Sequence, residues 1–230
     1  MSQLPYLKTY AIIVAGGSGK RMQSVVPKQF LLLNGRPVLM HTIHAFYQAG
    51  HKPDIIVVLH PNYHDYWQQL CASHHFNIPH RLTGGGETRF HSVKNGLALI
   101  DINSLVAVHD AVRPVTAPAL IDQAYRQAAA KGSAITAVKS RDSVRSLHNG
   151  HTQSLPRDEI YLVQTPQTFQ SEILIKAYEQ PYRDSFTDDA GVVEAGGNII
   201  SLMEGDYRNI KITFPEDIAI AELLLKQQGE

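Results

Sequence analysis

The sequence predicts an α/β fold with a mostly parallel sheet that helices cover on both faces. Short apolar runs rich in β-branched residues alternate with longer segments of helical spacing, as in repeated strand–helix–strand units. The chain has 230 residues, of which 43% are hydrophobic, so it is long enough to bury a full core. No repeat, linker or low-complexity tract divides it, and we therefore expect one domain over residues 1–230.

Five apolar runs of four to six residues are predicted to be strands. They span residues 10–15, 55–59, 105–108, 134–138 and 199–202. The segment 161–169 is predicted to be a strand followed by a polar turn.

The helices are predicted from apolar periodicity and from their stop signals. They span residues 38–49, 63–75 and 118–131, and the last is followed by Gly132, at the usual place of a C′ glycine. Thr213-Phe-Pro-Glu216 predicts a capping box that opens a final helix running to about Lys226.

A hairpin arm is predicted at about residues 139–160. Asn149-Gly150 is a strong hairpin signal, and the flanking runs 143–147 and 152–155 are largely polar. An isolated hairpin without an apolar face is only marginally stable in water, so we expect the arm to pair with a second subunit. This predicts a homodimer.

Charge and cysteine content exclude several classes of protein. The charges of the 21 basic and 21 acidic residues cancel, which argues against a general nucleic-acid binder. Cys71 is the only cysteine, so the chain cannot form an internal disulfide of the kind that secreted proteins use. There is no signal peptide, zinc-site spacing or run long enough for a membrane span, so we expect a cytoplasmic protein. Residues 1–53 contain six Lys or Arg and no acid, which suits binding of a triphosphate, although surface lysines also cluster by chance.

A glycine-rich loop follows the first predicted strand, in the run Ala15-Gly16-Gly17-Ser18-Gly19-Lys20-Arg21-Met22. Backbone amides of such a loop cradle phosphates at the carboxyl end of a strand, although some glycine loops are only tight turns. A dinucleotide fingerprint would need glycine in place of Met22, and a P-loop would need Ser or Thr in place of Arg21. Arg21 and Lys28 are candidates to stabilise charge on leaving pyrophosphate.

Asp110 follows the buried run 105–108 and is the candidate ligand for Mg²⁺. A carboxylate at a strand end lies in the ligand crevice of an open α/β sheet, and Mg²⁺ is commonly held by a carboxylate and substrate phosphates. The alternative is that Asp110 caps a helix. Arg113 is either a phosphate ligand or a surface arginine.

Two weaker signals concern the nucleotide and the C-terminal region. The run from Gly84 to Ser92 leads into a helix and offers amides and a hydroxyl to a base or ribose. Lys211 lies between two isoleucines in Asn209-Ile-Lys-Ile-Thr213, and sequence alone favours a solvent-facing lysine. Together these residues favour Mg²⁺-dependent transfer of a nucleotide from a nucleoside triphosphate to a small phosphorylated acceptor.

Over essentially its whole length the chain resembles the 2-C-methyl-D-erythritol 4-phosphate cytidylyltransferases of the non-mevalonate isoprenoid pathway. The shared motifs keep the family's order and spacing. They are Ala15-Gly-Gly-Ser-Gly-Lys-Arg-Met22, Pro27-Lys-Gln29, Gly85-Gly-Glu-Thr-Arg89, His109-Asp-Ala-Val-Arg-Pro114, Thr165-Pro-Gln167, Thr187-Asp-Asp189 and Asn209-Ile-Lys211.

The resemblance implies a Rossmann-like nucleotidyltransferase domain and a role for each matching residue. CTP would be the donor, Arg21, Lys28 and Lys211 the catalytic cations, and Asp110 the Mg²⁺ ligand. The nucleotide would be bound by Ala15, Gly16, Gly17, Gly19, Gly86, Arg89 and Ser92. The acceptor would be bound by Arg113, Thr165, Thr187 and Lys211, with Ser143 and Arg157 supplied by the arm of the partner subunit.

Two departures from the family pattern bear on the acceptor. The family usually has Ala-Ala-Gly where this chain has Ala15-Gly16-Gly17, and threonine is common where Ser143 stands. The Ala-Gly-Gly form also suits ribitol 5-phosphate cytidylyltransferases, which remain the alternative. Two other classes compete. Binding of NADH but not CTP would favour an NAD(P)-dependent oxidoreductase, and absence of pyrophosphate release from CTP with any polyol phosphate would favour a non-catalytic nucleotide sensor.

Overall fold

The computed structural model describes residues 8–16 and 26–228. Its strands are β1 (Lys8–Val14), β2 (Leu32–Leu33), β3 (Arg36–Pro37), β4 (Asp54–Leu59), β5 (Arg81–Gly84), β6 (Ser104–Asp110), β7 (Ser133–Lys139), β8 (Val144–His148), β9 (His151–Leu155), β10 (Tyr161–Gln170) and β11 (Leu202–Glu204). Its helices are α1 (Val38–Gln48), α2 (His64–Ser73), α3 (Arg89–Leu97), α4 (Pro118–Lys131), α5 (Ser171–Ala177), α6 (Asp189–Ala195) and α7 (Glu216–Gln228).

The central sheet has seven strands in the order β11-β7-β10-β6-β1-β4-β5. β1 pairs in parallel with both β4 and β6, β4 with β5, and β7 with β11. β10 lies between β6 and β7 and is antiparallel to both. The prediction of a mostly parallel sheet is confirmed.

Two of the strand predictions need correction. Ile199 is 93% exposed, and β11 begins only at Leu202, although Ile200 packs partly against the core and the Ser201 carbonyl accepts the Ile135 amide (2.9 Å). No polar turn interrupts the segment 161–169, because β10 continues to Gln170 with a register shift between Val163 and Gln167. Its second half is buried between β6 and β7, where the neighbouring strands satisfy its backbone.

Helices cover both faces of the sheet, as predicted. Side chains of β1 alternate, so that Ala11 and Ile13 join α1, α2 and α4 in one cluster, while Tyr10 and Ile12 join α3, α5 and α6 in another. The helices predicted at 38–49, 63–75 and 118–131 correspond to α1, α2 and α4. Gly132 ends α4 with φ 85°, the left-handed conformation that favours glycine.

Helix α7 is confirmed, but its cap is not the predicted one. The carboxylate of Asp217, rather than that of Glu216, accepts hydrogen bonds from the amides of Thr213 (2.7 Å) and Phe214 (2.8 Å). Pro215 directly precedes α7, and Asp217 lies three positions after Phe214, which is the spacing of a capping box that starts one residue later than predicted. A third apolar cluster then packs α7 against the chain after β6; it contains Leu33, Val38, Val112, Val115, Ile212, Ala221 and Leu225.

The predicted hairpin is present as a separate two-stranded sheet of β8 and β9. Asn149 and Gly150 both have positive φ, 47° and 80°, as a two-residue hairpin turn requires. Most of its side chains are exposed, Leu147 to 69%. Its role in dimerisation stays a prediction. Within the described ranges, no helix is long and apolar enough to span a bilayer.

Candidate active site

A cleft of about 390 Å³ lies where the carboxyl ends of β1 and β6 meet the loop before α3. It is lined by Val14, Ala15, Gly16, Lys28, Gln29, Gly86, Glu87, Thr88, Arg89, Ser92, Asp110, Val112 and Lys211. Clefts of similar volume occur elsewhere on the described surface, so volume does not single it out. Its chemistry does, because it joins residues from five of the sequence motifs.

The start of the glycine-rich loop is held in place by a residue to which the sequence reasoning gave no role. Ala15 continues the β1 ladder by donating its amide to the Val58 carbonyl (2.8 Å). The Ala15 carbonyl accepts a hydrogen bond from Nε2 of Gln29 (2.9 Å), whose side chain is buried. Gln29 therefore ties the loop to the segment that carries Lys28. Gly17, Gly19 and Arg21 lie outside the described residues.

Ser92 joins the two glycine loops beneath the cleft. Its Oγ accepts the Gly86 amide (3.0 Å) and donates to the Thr88 carbonyl (2.9 Å). A Cβ at Gly16 would lie 3.2 Å from that oxygen, and a Cβ at Gly86 would lie 2.4 Å from Cβ of His91. Close packing therefore requires glycine at position 86, whereas a methyl group at position 16 would only be tight against Ser92. Contact of these groups with a nucleotide stays a prediction.

Asp110 is the centre of a group of cations. Its Oδ2 lies 3.0 Å from Nζ of Lys211 and 3.3 Å from Nε of Arg113, and its Oδ1 lies 3.9 Å from Nε of Arg89. Burial alone would raise the pKa of Asp110, but these three cations hold it well below its usual range. The carboxylate is therefore ionised and available as a hard oxygen ligand. It caps no helix, since α4 starts at Pro118 with Ala117 at its N-cap, so the capping alternative is wrong.

Lys211 points into the cleft, which corrects the expectation of a solvent-facing lysine. The cause is Asn209, which is fully buried and forms hydrogen bonds with both the loop before α4 and strand β10. Its Oδ1 accepts from Oγ1 of Thr116 (2.8 Å), and its Nδ2 donates to the Thr165 carbonyl (2.8 Å). These bonds hold the segment 209–212 beside the end of β6. Asn209 belongs to the motif Asn209-Ile-Lys211, but no feature of the neighbouring sequence predicted that it anchors this segment.

Arg113 and Thr165 are buried below the cleft and do not line it. Nη1 of Arg113 donates to the Asn209 carbonyl (2.7 Å), in addition to the contact of Nε with Asp110. Oγ1 of Thr165 accepts the Asp110 amide (3.0 Å). Both residues thus position Asp110, and their contact with an acceptor phosphate stays a prediction.

Three further acceptor candidates lie on the surface of the chain, away from the cleft lining. Thr187 is exposed in the loop before α6, and Ser143 and Arg157 are exposed at the base of the hairpin. Nη1 of Arg157 donates to the Arg141 carbonyl at 3.5 Å. In one chain the arm residues therefore do not reach the cleft, and their role depends on the expected partner subunit.

Arg89 forms a bidentate ion pair with Asp189, a residue that the sequence reasoning missed. Nη1 and Nη2 donate to its two carboxylate oxygens at 2.8 and 2.6 Å. Asp189 is fully buried and also accepts from the Tyr178 hydroxyl (2.6 Å). Burial opposes the charge on Arg89, but the Asp189 carboxylate raises its pKa above the ordinary value. The only signal for Asp189 was its place in the run Thr187-Asp-Asp189.

Comparison with known proteins agrees with this geometry. The family model described as 2-C-methyl-D-erythritol 4-phosphate cytidylyltransferase matches residues 9–227. The protein of that name from Azobacteroides pseudotrichonymphae is 49% identical over 217 residues, which are 94% of this chain and 98% of that protein. The one from Bacteroides thetaiotaomicron is 48% identical over 219 residues, covering 95% of this chain and all (100%) of its own.

Solved structures give the same answer. The crystal structure of 4-diphosphocytidyl-2C-methyl-D-erythritol synthase from Anaerococcus prevotii superposes with a TM-score of 0.82 at 30% identity, covering 96% of this chain and 97% of that one. The cytidylyltransferase from Thermus thermophilus superposes with a TM-score of 0.74 at 28% identity, covering 96% and 100%. From its sequence, its fold and the residues of its cleft, the chain belongs to the 2-C-methyl-D-erythritol 4-phosphate cytidylyltransferase family.

Proposed function

We propose that this protein transfers the cytidylyl group of CTP to 2-C-methyl-D-erythritol 4-phosphate and releases pyrophosphate. The observation that carries the proposal is the cleft itself, in which a buried carboxylate, Asp110, lies among Lys211, Arg89 and Arg113, between two glycine loops. Such a site suits a polyphosphate whose charge must be neutralised and whose phosphates must be held in line.

The reaction needs no protein nucleophile. An oxygen of the acceptor phosphate attacks the α-phosphorus of CTP, and the bond from that phosphorus to the oxygen of the leaving pyrophosphate breaks. Negative charge builds on the leaving group, so fixed cations lower the barrier. Lys28 is a suitable cation because its Nζ donates to the Ile212 carbonyl (3.0 Å), which holds it at the cleft wall. Arg21 is assigned the second such role from the family resemblance.

The residues fit the expected Mg²⁺. The described ranges contain no group of three or more His, Cys, Asp or Glu that could hold a metal ion, so the remaining ligands would be phosphate oxygens of CTP and water. Asp110 would be the protein ligand, because it is ionised and lines the cleft. When bound, the ion supplies positive charge to the phosphates.

The direct test is pyrophosphate release from CTP with each of two acceptors. We expect turnover with 2-C-methyl-D-erythritol 4-phosphate and at most weak turnover with ribitol 5-phosphate. The reverse preference would reassign the acceptor, and absence of turnover with both would refute the function. Loss of Mg²⁺-dependent CTP binding in Asp110→Asn would support the metal assignment, and normal Mg²⁺ dependence would remove it.

The hairpin arm is proposed to complete the acceptor site of a second subunit in a homodimer. Arg157 and Ser143 are exposed, and neither lines the cleft of its own chain. Refolding a mixture of Arg157→Ala and Arg21→Ala chains gives about half mixed dimers, each with one intact site, so activity should recover to about a quarter of wild type. No recovery after verified subunit exchange would refute the shared site.

A further inference from the structure

Arg89 lies between two carboxylates and is turned toward one of them. Both terminal nitrogens donate to Asp189, at 2.8 and 2.6 Å. Towards Asp110 it presents only Nε, which lies 3.9 Å from Oδ1 and is therefore beyond hydrogen-bond distance. The guanidinium is thus paired with Asp189 while it borders the cleft that contains Asp110.

The partner carboxylate is held firmly. Asp189 is fully buried in the first turn of α6, and it also accepts the Tyr178 hydroxyl at 2.6 Å. Tyr178 in turn stacks on Phe90, with ring centroids 4.6 Å apart and planes 18° apart. Asp189 is inaccessible to water, whereas Arg89 is 27% exposed, and the two parallel hydrogen bonds give the fork of Arg89 one preferred orientation.

The orientation matters because Asp110 already has two cations at its other oxygen. Lys211 and Arg113 approach Oδ2 at 3.0 and 3.3 Å. If Arg89 also donated to Oδ1, both oxygens of Asp110 would be occupied by protein cations. A carboxylate in that state is a poor ligand for a further cation, since its charge and its lone pairs are already used.

We infer that Asp189 is a positioning residue that withholds Arg89 from Asp110 and so keeps Asp110 able to bind Mg²⁺ with CTP. The inference rests on the proposed function, because it takes Asp110 as the Mg²⁺ ligand. Asp189→Asn keeps the shape of the side chain but removes its charge. Arg89 is only partly exposed and Asp110 is the nearest remaining carboxylate, with Oδ1 3.9 Å from Nε, so without the charge of Asp189 the guanidinium gains most by turning to Asp110.

The test is CTP binding, measured by calorimetry at a series of Mg²⁺ concentrations. For Asp189→Asn we expect the Mg²⁺ concentration that gives half of the maximal CTP affinity to rise about tenfold or more, as for competition with one charge-assisted hydrogen bond. Pyrophosphate release should show the same displacement. The matched control is Tyr178→Phe, which removes one hydrogen bond from the same carboxylate but leaves its charge and its pairing with Arg89, and should shift the value less than about twofold.

A double-mutant cycle separates positioning from a merely structural role of Asp189. In an Arg89→Gln background there is no cation to withhold, so adding Asp189→Asn should move the Mg²⁺ requirement less than about twofold, whatever the loss of CTP affinity caused by Arg89→Gln itself. Equal displacement in both backgrounds would overturn the inference.

If Asp189→Asn does not fold, the variant Arg89→Lys provides a second test. Arg89→Lys keeps the charge but cannot form the fork, so its ammonium is shared between the two carboxylates and the Mg²⁺ requirement should again rise. An unchanged requirement in a folded Arg89→Lys or Asp189→Asn protein would refute the inference and leave the proposed function intact. If CTP binding by the wild type were independent of Mg²⁺, the metal assignment and the inference would both fail.

Discussion

His109 should make the stability of this protein depend on pH between about 6.5 and 3. The residue precedes Asp110 and is fully buried, with Oγ1 of Thr116 3.3 Å from Nε2 and the Phe46 ring 4.9 Å from its own ring centre. Among the described residues, Nδ1 has no hydrogen-bond partner. Burial lowers the pKa of His109 to about 3, although the Asp110 charge opposes the shift.

The magnitude follows from the difference between folded and unfolded states. In the unfolded chain a histidine has a pKa of about 6.5. Below that pH the unfolded state binds a proton that the folded state does not. The free energy of unfolding therefore decreases as the pH is lowered, and it levels off only below the pKa of the folded state. At pH 5.0 the difference is roughly 1.5 pH units at about 1.4 kcal/mol each, or about 2 kcal/mol.

Urea unfolding of wild type and His109→Phe at pH 7.5 and pH 5.0 measures this contribution. Phenylalanine retains an apolar ring and cannot be protonated, so the variant should lose about 2 kcal/mol less than wild type between the two pH values. The control is His75→Asn, at an exposed position with φ 51° that asparagine tolerates, and it should behave as wild type. Equal losses in wild type and His109→Phe would refute the reasoning.

Three further substitutions test the parts of the site. Lys28→Ala should lower kcat on the order of 10²-fold with little change in Tm, and an unchanged kcat would remove Lys28 from the mechanism. Gln29→Met removes the hydrogen bond to the Ala15 carbonyl, so it should lower the free energy of unfolding in urea by about 1–3 kcal/mol and raise KM for CTP. An unchanged KM would show that this bond does not shape the nucleotide loop. Asn209→Ala removes two hydrogen bonds of 2.8 Å and should cost about 2–4 kcal/mol together with most of the turnover, and a cost below about 1 kcal/mol would contradict its role as anchor.

Much of the architecture could be predicted from sequence because it depends on neighbours along the chain. The apolar runs of β1, β4, β6 and β7 and the helix ended by Gly132 lie within a residue or two of the predicted bounds. Asn149-Gly150 specifies its turn through the positive φ of both residues. The glycine loop and Asp110 were placed at strand ends, and the carboxyl ends of adjacent parallel strands necessarily share one edge of a sheet.

The tertiary structure alone decided which groups meet in the site and how each is oriented. Arg89 and its partner Asp189 are 100 residues apart, and Lys211 reaches Asp110 from a segment with no regular secondary structure. The place of β10 between β6 and β7 likewise brings Thr165 under Asp110. These contacts depend on how three apolar clusters pack and on which buried polar groups must then find partners. Such long-range burial leaves no periodic trace in a local stretch of sequence, so the residue types could be predicted but their pairing could not.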